Sequence, residues 1–162
     1  MPSPLRAARG RKLRKTTDTK VSWTRSVTLV HPLREVAPVM TTRSLVSIVD
    51  DDESVRESLP DLVRQFGFAA KAFPSAEAFL ASDVVSQTSC LILDIAMPGM
   101  SGPDLQRELA TRRHTIPIVF ITASGDRAIR LHLLAQGAVE CLFKPFSETA
   151  LLDALNAALR MD

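Results

Sequence analysis

The sequence predicts an α/β protein with a doubly wound, five-stranded parallel sheet and five helices. Two observations support this fold class. Short apolar runs alternate with amphipathic stretches five times between residues 45 and 160, and such β-α alternation builds a parallel sheet with helices on both faces. Four of the runs end directly in a polar residue, at Asp50, Asp94, Thr122 and Lys144. In an open parallel sheet these ends share one edge, where ligands bind.

Each predicted strand is followed along the chain by its helix. The predicted pairs are strand 45–49 with helix 54–66, strand 69–73 with helix 75–80, strand 90–93 with a helix ending near residue 112, strand 117–121 with helix 126–136, and strand 139–143 with helix 147–160. Gly67 and Gly137 stand where the first and fourth helices should end. Ser75 and Ser147 can cap the second and fifth helices. Pro60 falls inside the first helix and predicts a kink or a later start, because proline removes a backbone hydrogen bond.

Length and composition fit one soluble domain. A chain of 162 residues with 46% hydrophobic residues can bury one core, and no apolar run approaches the ~20 residues that span a bilayer. The two cysteines, Cys90 and Cys141, fall in predicted strands without metal-ligand spacing. We therefore expect both to be reduced core residues of a cytoplasmic protein.

Charge is divided unevenly along the chain. Residues 1–39 hold 9 Lys/Arg and 2 acidic residues, whereas residues 40–162 hold 11 and 16. The first part also lacks periodicity, so we predict a basic, disordered extension over residues 1–43 and a folded domain over residues 44–162. We favour the interpretation that Met40 is the true start. A nucleic-acid arm, a membrane-surface tether and an organellar transit peptide are the functional alternatives for the extension.

The polar strand ends predict a site for a divalent cation and a phosphoryl group. Asp50, Asp51 and Asp94 would repel one another unless a cation lay between them, and Mg²⁺ favours such a partial cage of oxygen ligands. Lys144 can neutralise a phosphoryl oxygen or pair with Asp94, and Thr122 offers a hydroxyl nearby. A carboxylate in this setting can act as a nucleophile toward a phosphoryl donor.

Four motifs resemble the receiver domain of two-component response regulators. They are VDDDESVR at residues 49–56, LILDIAMPGMSG at 91–102, FITA at 120–123 and KPF at 144–146. Their order and spacing are similar to those of the family over residues 44–160, and the FixJ-type receiver is the most similar type. The resemblance implies a flavodoxin-like fold.

The resemblance also implies roles in phosphoryl transfer. Asp94 is the phospho-acceptor, Thr122 is the hydroxyl that turns toward the phosphoryl group, and Lys144 is the lysine of the site, followed by Pro145 in a cis peptide. The donor would be a phosphohistidine on a sensor histidine kinase or a phosphotransfer protein. The domain would not be an enzyme, but a phospho-acceptor with Mg²⁺-dependent self-phosphorylation and autodephosphorylation.

Mg²⁺ is the cofactor that the resemblance implies. Asp51 is its direct ligand, Asp50 acts through water, and Asp94 and the backbone carbonyl of Ala96 complete the protein ligands. Positions 96 and 124 are small, Ala and Ser, which leaves the phosphoryl group less shielded from water. Cys141 stands where the family usually has an aromatic residue that swings with the threonine, so the resemblance does not extend to this coupling.

We predict a stand-alone, cytoplasmic receiver that switches partner or dimer binding when it is phosphorylated. The signal would leave through the face of the fourth helix, fifth strand and fifth helix, where Arg127, Arg130 and Leu134 could meet a partner or a second copy. No direct contact with nucleic acid or membrane is expected of the folded domain.

Several alternatives are open. A pseudo-receiver would bind partners without phosphorylation, and a fragment of a longer DNA-binding response regulator would share all the motifs. A metal-dependent phosphatase would need an acid in place of Ala96, and a flavin- or nucleotide-binding domain would need a glycine-rich loop after the first strand. Asp52 and Glu53 are interpreted as favourable charges at a helix N-terminus rather than as site residues.

Overall fold

The computed structural model describes residues 43–160. Their elements are β1 Leu45–Val49, α1 Glu53–Gln65, β2 Ala69–Phe73, α2 Ala76–Leu80, a 3₁₀ turn Val85–Gln87, β3 Thr88–Asp94, α3 Gly102–Thr111, β4 Ile118–Thr122, α4 Arg127–Ala135, β5 Glu140–Phe143 and α5 Glu148–Leu159. No helix within this range is long and apolar enough to cross a membrane. The predictions for the extension and for Met40 lie outside the described residues.

The five strands form one parallel sheet in the order β2-β1-β3-β4-β5. Helices α1 and α5 cover one face, where buried residues such as Val63 and Leu155 pack against the strands. Helices α2, α3 and α4 cover the other face through residues such as Phe79, Leu105 and Leu133. The predicted doubly wound fold is therefore confirmed. Because β1 and β3 are neighbours in the sheet, the residues that follow them meet at its carboxyl edge.

A side chain caps the start of each of the five α-helices. Each cap accepts a hydrogen bond from a backbone amide two or three residues ahead, and so satisfies a donor that the helix leaves unpaired. The caps are Asp52, Ser75, Ser101, Asp126 and Ser147. The roles predicted for Ser75, Ser147 and Asp52 at helix starts are thereby confirmed.

Helix α1 passes through Pro60 without interruption. The helix begins at Glu53, directly after its Asp52 cap, so the predicted later start is wrong. Pro60 is buried, and the apolar area of its ring offsets the backbone hydrogen bond that it cannot donate. A favourable cap and burial of the ring together outweigh the local preference against proline.

Strand β3 is longer than the sequence predicts. It begins at Thr88 rather than at Cys90, because the Thr88 hydroxyl is satisfied inside the protein. Its oxygen lies 2.7 Å from the hydroxyl of Ser47 on β1 and donates to the carbonyl of Val84 at 2.7 Å. Cys90 and Cys141 are buried in strands, as predicted, and no disulfide joins them.

Gly102 begins α3 at the point where this helix approaches the end of β3 most closely. A Cβ atom there would lie 2.3 Å from the backbone oxygen of Asp94 and 3.1 Å from the Cα of Ile95. We predict that Gly102→Ala lowers the free energy of unfolding by about 2–3 kcal/mol, because two backbone segments must separate. Urea denaturation measures the change. Gly125→Ala is the matched control, since its Cβ would meet nothing within 4 Å, and an equal loss in both variants would contradict the close approach.

Candidate functional site

Three carboxylates meet at the carboxyl edge of β1 and β3. Val49 pairs with Leu93 in the register of these strands, so the residues that follow them, Asp50 and Asp94, lie side by side. Carboxylate oxygens of Asp50, Asp51 and Asp94 all lie within 4.8 Å of one another. Asp50 and Asp94 are 0% and 6% exposed, whereas Asp51 is exposed. The structure therefore brings together the three acids that the sequence predicts.

Asp50 is hydrogen-bonded through all four of its polar groups. Its amide donates to the carbonyl of Phe73 at 3.2 Å, and its carbonyl accepts from the guanidinium of Arg56 at 3.0 Å. Its two carboxylate oxygens accept from the amide of Asp52 and the ammonium of Lys144, each at 2.9 Å. A buried carboxylate is costly unless it is paired and hydrogen-bonded. These contacts meet that requirement.

Lys144 follows β5 and brings a positive charge to the acids. Its Nζ lies 2.9 Å from Asp50 and 3.8 Å from Asp94. Burial alone would lower the pKa of Lys144, but the hydrogen bond and charge of Asp50, followed by the charge of Asp94, raise it above its usual value. The sequence predicted Asp94 as the partner of Lys144. The ion pair with Asp94 at 3.8 Å confirms that contact. The shorter hydrogen bond goes to Asp50, because the fully buried carboxylate gains more from a nearby cation.

Asp94 is the acid whose ionisation is most perturbed. Burial, followed by the charge of Asp50, raises the pKa of Asp94 to about 7, while the charge of Lys144 opposes this rise. A divalent cation beside the three carboxylates would offset their repulsion and favour the ionised form that a nucleophile needs. The spacing and chemistry of these oxygen donors therefore fit Mg²⁺.

Thr122 ends β4 beside Asp94. Its neighbour Ile121 pairs with Asp94 in the β3-β4 register, and Thr122 itself is 6% exposed. The Thr122 hydroxyl accepts a hydrogen bond from the amide of Ser124 at 3.1 Å, and its carbonyl accepts from the amide of Lys144 at 2.7 Å. The hydroxyl and the ammonium are thus carried by directly bonded ends of β4 and β5.

Small residues follow the two central strand ends. Ala96 and Ser124, two residues beyond Asp94 and Thr122, are both exposed. Both side chains are too short to cover the site. The part assigned to the Ala96 carbonyl, as a fourth protein ligand of the metal, stays a prediction.

Sequence reasoning included Arg56 in the motif at 49–56 but assigned it no role. Its contact with Asp50 comes from the first turns of α1, which fold back toward the end of β1. Arg64 lies in the same helix and also donates to a backbone carbonyl, that of Ala70. Position in the helix therefore does not distinguish the two arginines, and only the folded chain assigns one of them to the site.

A parallel α/β sheet with a cluster of aspartates, a threonine and a lysine at its carboxyl edge is the arrangement that the motifs of a receiver domain predicted. The family profile of the response regulator receiver domain matches residues 46–156. The chain belongs to this family, as its motifs predicted. Members of the family generally bind Mg²⁺ through an acidic cluster of this kind.

Relatives from bacteria support this assignment. Nodulation protein W of Bradyrhizobium diazoefficiens is 46% identical over 121 residues, which are 75% of this chain and 53% of the relative. The transcriptional regulatory protein FixJ of Rhizobium meliloti is 41% identical over 113 residues, 70% of this chain and 55% of the relative. This chain thus spans about half the length of the curated relatives that it matches.

Solved structures give the same fold. The response regulator StyR is 47% identical with a TM-score of 0.68, and the match covers 74% of this chain and 61% of StyR. The structure called FixJ-N is 38% identical with a TM-score of 0.66, and 74% and 96% of the two chains are covered. The flavodoxin-like receiver fold is confirmed.

The raised pKa of Asp94 predicts how stability depends on pH. The folded protein binds this proton more tightly than the unfolded chain, whose aspartates titrate near pH ~4. The stabilisation is therefore complete below about pH 4 and is lost as the pH rises to about 7. Asp94→Asn has no such proton to lose. We expect the variant to gain roughly 2–4 kcal/mol relative to the unsubstituted protein between about pH 4 and pH 8 without divalent cations.

Urea denaturation at several pH values, in the presence of a chelator, measures this difference. Asp153→Asn, on the exposed side of α5, is the matched control and should follow the unsubstituted protein at every pH. A difference between Asp94→Asn and the unsubstituted protein that is constant over this range would contradict the raised pKa.

Proposed function

We propose that this receiver domain accepts a phosphoryl group on Asp94 in a two-component phosphorelay, and that Mg²⁺ is required for the transfer. The observation that supports the proposal best is the packing of Asp50, Asp51 and Asp94 within 4.8 Å of one another, with Lys144 3.8 Å from Asp94. Phosphoryl transfer depends mainly on positioning and on neutralising charge. This arrangement supplies both around a single nucleophile.

The proposed transfer needs few steps from the protein. A carboxylate oxygen of Asp94 forms a bond to phosphorus while the nitrogen–phosphorus bond of the donor breaks, and the leaving imidazole nitrogen keeps the electron pair. Lys144 moves from its place beside Asp50 to a phosphoryl oxygen, and the Thr122 hydroxyl donates to another. Asp51, Asp94 and the Ala96 carbonyl, with Asp50 acting through water, would hold Mg²⁺, which would neutralise further negative charge on the phosphoryl group. Attack by water later returns Asp94 and inorganic phosphate.

The donor that we propose is a phosphohistidine of a sensor histidine kinase or a phosphotransfer protein. Receiver domains of response regulators interact with histidine kinases, and the relatives of this chain are response regulators. The domain would then act in the cytoplasm, where such kinases present their phosphohistidine. It would work as a phospho-acceptor that phosphorylates and dephosphorylates itself, and not as an enzyme on a separate substrate.

The output surface that we propose is the face of α4, β5 and α5. Arg127, Arg130, Leu131 and Leu134 follow the spacing that places side chains on one side of a helix. Arg130 points toward β5, because its guanidinium donates to Glu140 at 2.7 Å. This pairing makes Arg130 less available to a partner than the sequence predicts, and Leu134 is half-buried. Leu131 is 62% exposed and is the apolar group that this side offers.

A second candidate is a pseudo-receiver that binds partners without phosphorylation. Cys141 favours it, because this small side chain is 2% exposed and has little to swing when the site changes. The arrangement as a stand-alone receiver also stays a prediction. Relatives called transcriptional regulatory proteins are about twice as long as the matched segment, which supports the alternative of a receiver joined to a DNA-binding output domain.

Phosphorylation is tested with a small phosphodonor and Mg²⁺, read by intact mass. We expect a phosphate-sized adduct on the unsubstituted protein and on Asp153→Asn, an exposed control on α5. Asp94→Asn should form none, since it lacks the nucleophile, and removing Mg²⁺ with a chelator should prevent the reaction. No adduct on the unsubstituted protein would contradict the proposal and favour the pseudo-receiver.

The output face is tested by sedimentation with and without beryllofluoride, which mimics the phosphoryl group on an aspartate. We expect association of two copies in its presence, and Leu131→Glu should weaken that association by about 10-fold or more, as for a central apolar contact. Ile129→Glu is the matched control, because Ile129 is also exposed on α4, at 38%, but on another side of the helix. Association that survives Leu131→Glu and fails in Ile129→Glu would contradict this face, and a protein that stays monomeric would contradict the dimer.

A further inference from the structure

Arg56 contacts the metal site without belonging to its ligands. Its Nη1 donates to the backbone carbonyl of Asp50 at 3.0 Å, and its side chain is half-buried. The carbonyl of Asp50 and the amide of Asp51 belong to the same peptide group. Because a peptide group is planar, a bond that holds this oxygen also holds the orientation from which the Asp51 side chain begins.

Asp51 depends on such a backbone constraint. Its side chain is exposed, and within residues 43–160 no amide, hydroxyl or ammonium donates a hydrogen bond to its carboxylate. Asp50 differs, because the amide of Asp52 and the ammonium of Lys144 hold its carboxylate directly. The side-chain hydrogen bond of Asp51 is with Asp94, inside the cluster itself, so from outside the cluster the direction of its carboxylate is set by the main chain that carries it.

We infer that Arg56 is a positioning residue for the metal site: by holding the Asp50–Asp51 peptide from α1, it aims the Asp51 carboxylate at the cation. The inference rests on the proposed Mg²⁺ site and gives a role to Arg56, the last residue of the motif at 49–56, to which the sequence analysis assigned none. Groups that orient metal ligands from outside commonly change metal affinity by about 10-fold or more when they are removed. Here the oriented group is a main-chain peptide rather than a ligand side chain.

The charge of Arg56 predicts the opposite effect from its hydrogen bond. A guanidinium close to the three carboxylates repels a divalent cation, so a residue that acted only through charge would weaken metal binding. Removing it would then tighten binding. Removing a positioning residue should instead weaken binding, because Asp51 would sample orientations that do not meet the cation. The sign of the change separates the two roles.

The experiment is a titration of the folded protein with Mn²⁺, in which free Mn²⁺ is measured by its EPR signal and Mg²⁺ is measured by competition. We expect Arg56→Met to weaken binding by about 10-fold. Arg56→Lys, which keeps a charged donor on a long side chain, should recover most of the affinity. Arg64→Met is the matched control, since Arg64 lies in the same helix and donates to the carbonyl of Ala70 and to the carboxylate of Asp61, each at 3.0 Å, and not to a residue of the metal site.

Each outcome decides a separate question. Unchanged or tighter binding by Arg56→Met, with normal binding by the unsubstituted protein, would overturn the positioning role. Equal weakening in Arg64→Met would also overturn it, because the effect would then come from α1 as a whole. Failure of the unsubstituted protein to bind either ion would overturn the proposed metal site itself. Should Arg56→Met not fold, Arg56→Gln removes the charge and shortens the donor, and tighter binding by that variant would contradict the inference.

Discussion

The site depends on one electrostatic constraint, the placement of a fully buried carboxylate beside a second one at the centre of a parallel sheet. Asp50 and Asp94 lie side by side because β1 and β3 are neighbours in register. A buried negative charge there needs a nearby positive charge. Lys144 supplies it, although it lies 94 positions from Asp50 in the sequence. The two edge strands therefore also contribute to the site, β2 through the carbonyl of Phe73 and β5 through Lys144, which follows it. Sheet order, and not local sequence, makes the cluster possible.

This constraint links stability to function. The protein holds Asp50 through contacts from β2, the start of α1 and the end of β5, while Asp94 keeps a raised pKa and Asp51 remains exposed. The repulsion between carboxylates that remains thus falls on Asp51 and Asp94, the residues that would meet a cation and a phosphoryl group. Functional sites commonly retain such unfavourable interactions at a cost in stability.

Polar contacts, rather than an aromatic residue at position 141, join α4 to β5. Cys141 is small and buried on β5, and its backbone carbonyl accepts a hydrogen bond from Arg130 at 3.3 Å. Its amide donates to the side chain of Glu140, which also pairs with Arg130. Helix α4 is therefore tied to the outer edge of β5 by an ion pair that is partly open to water. Leu131 remains exposed on the same helix.

The sequence by itself determined the fold class, the polar strand ends and the helix starts at Asp52, Ser75 and Ser147, because hydrophobic period and capping chemistry act within a few residues. It also placed Asp50, Asp51 and Asp94 in one cluster, since parallel strands bring their carboxyl ends together. Only the tertiary structure decided that Lys144 bonds Asp50, that Arg56 rather than Arg64 reaches the site, and that Pro60 is accommodated within α1. Those outcomes depend on burial and on contacts between residues far apart in the chain. No local pattern encodes them.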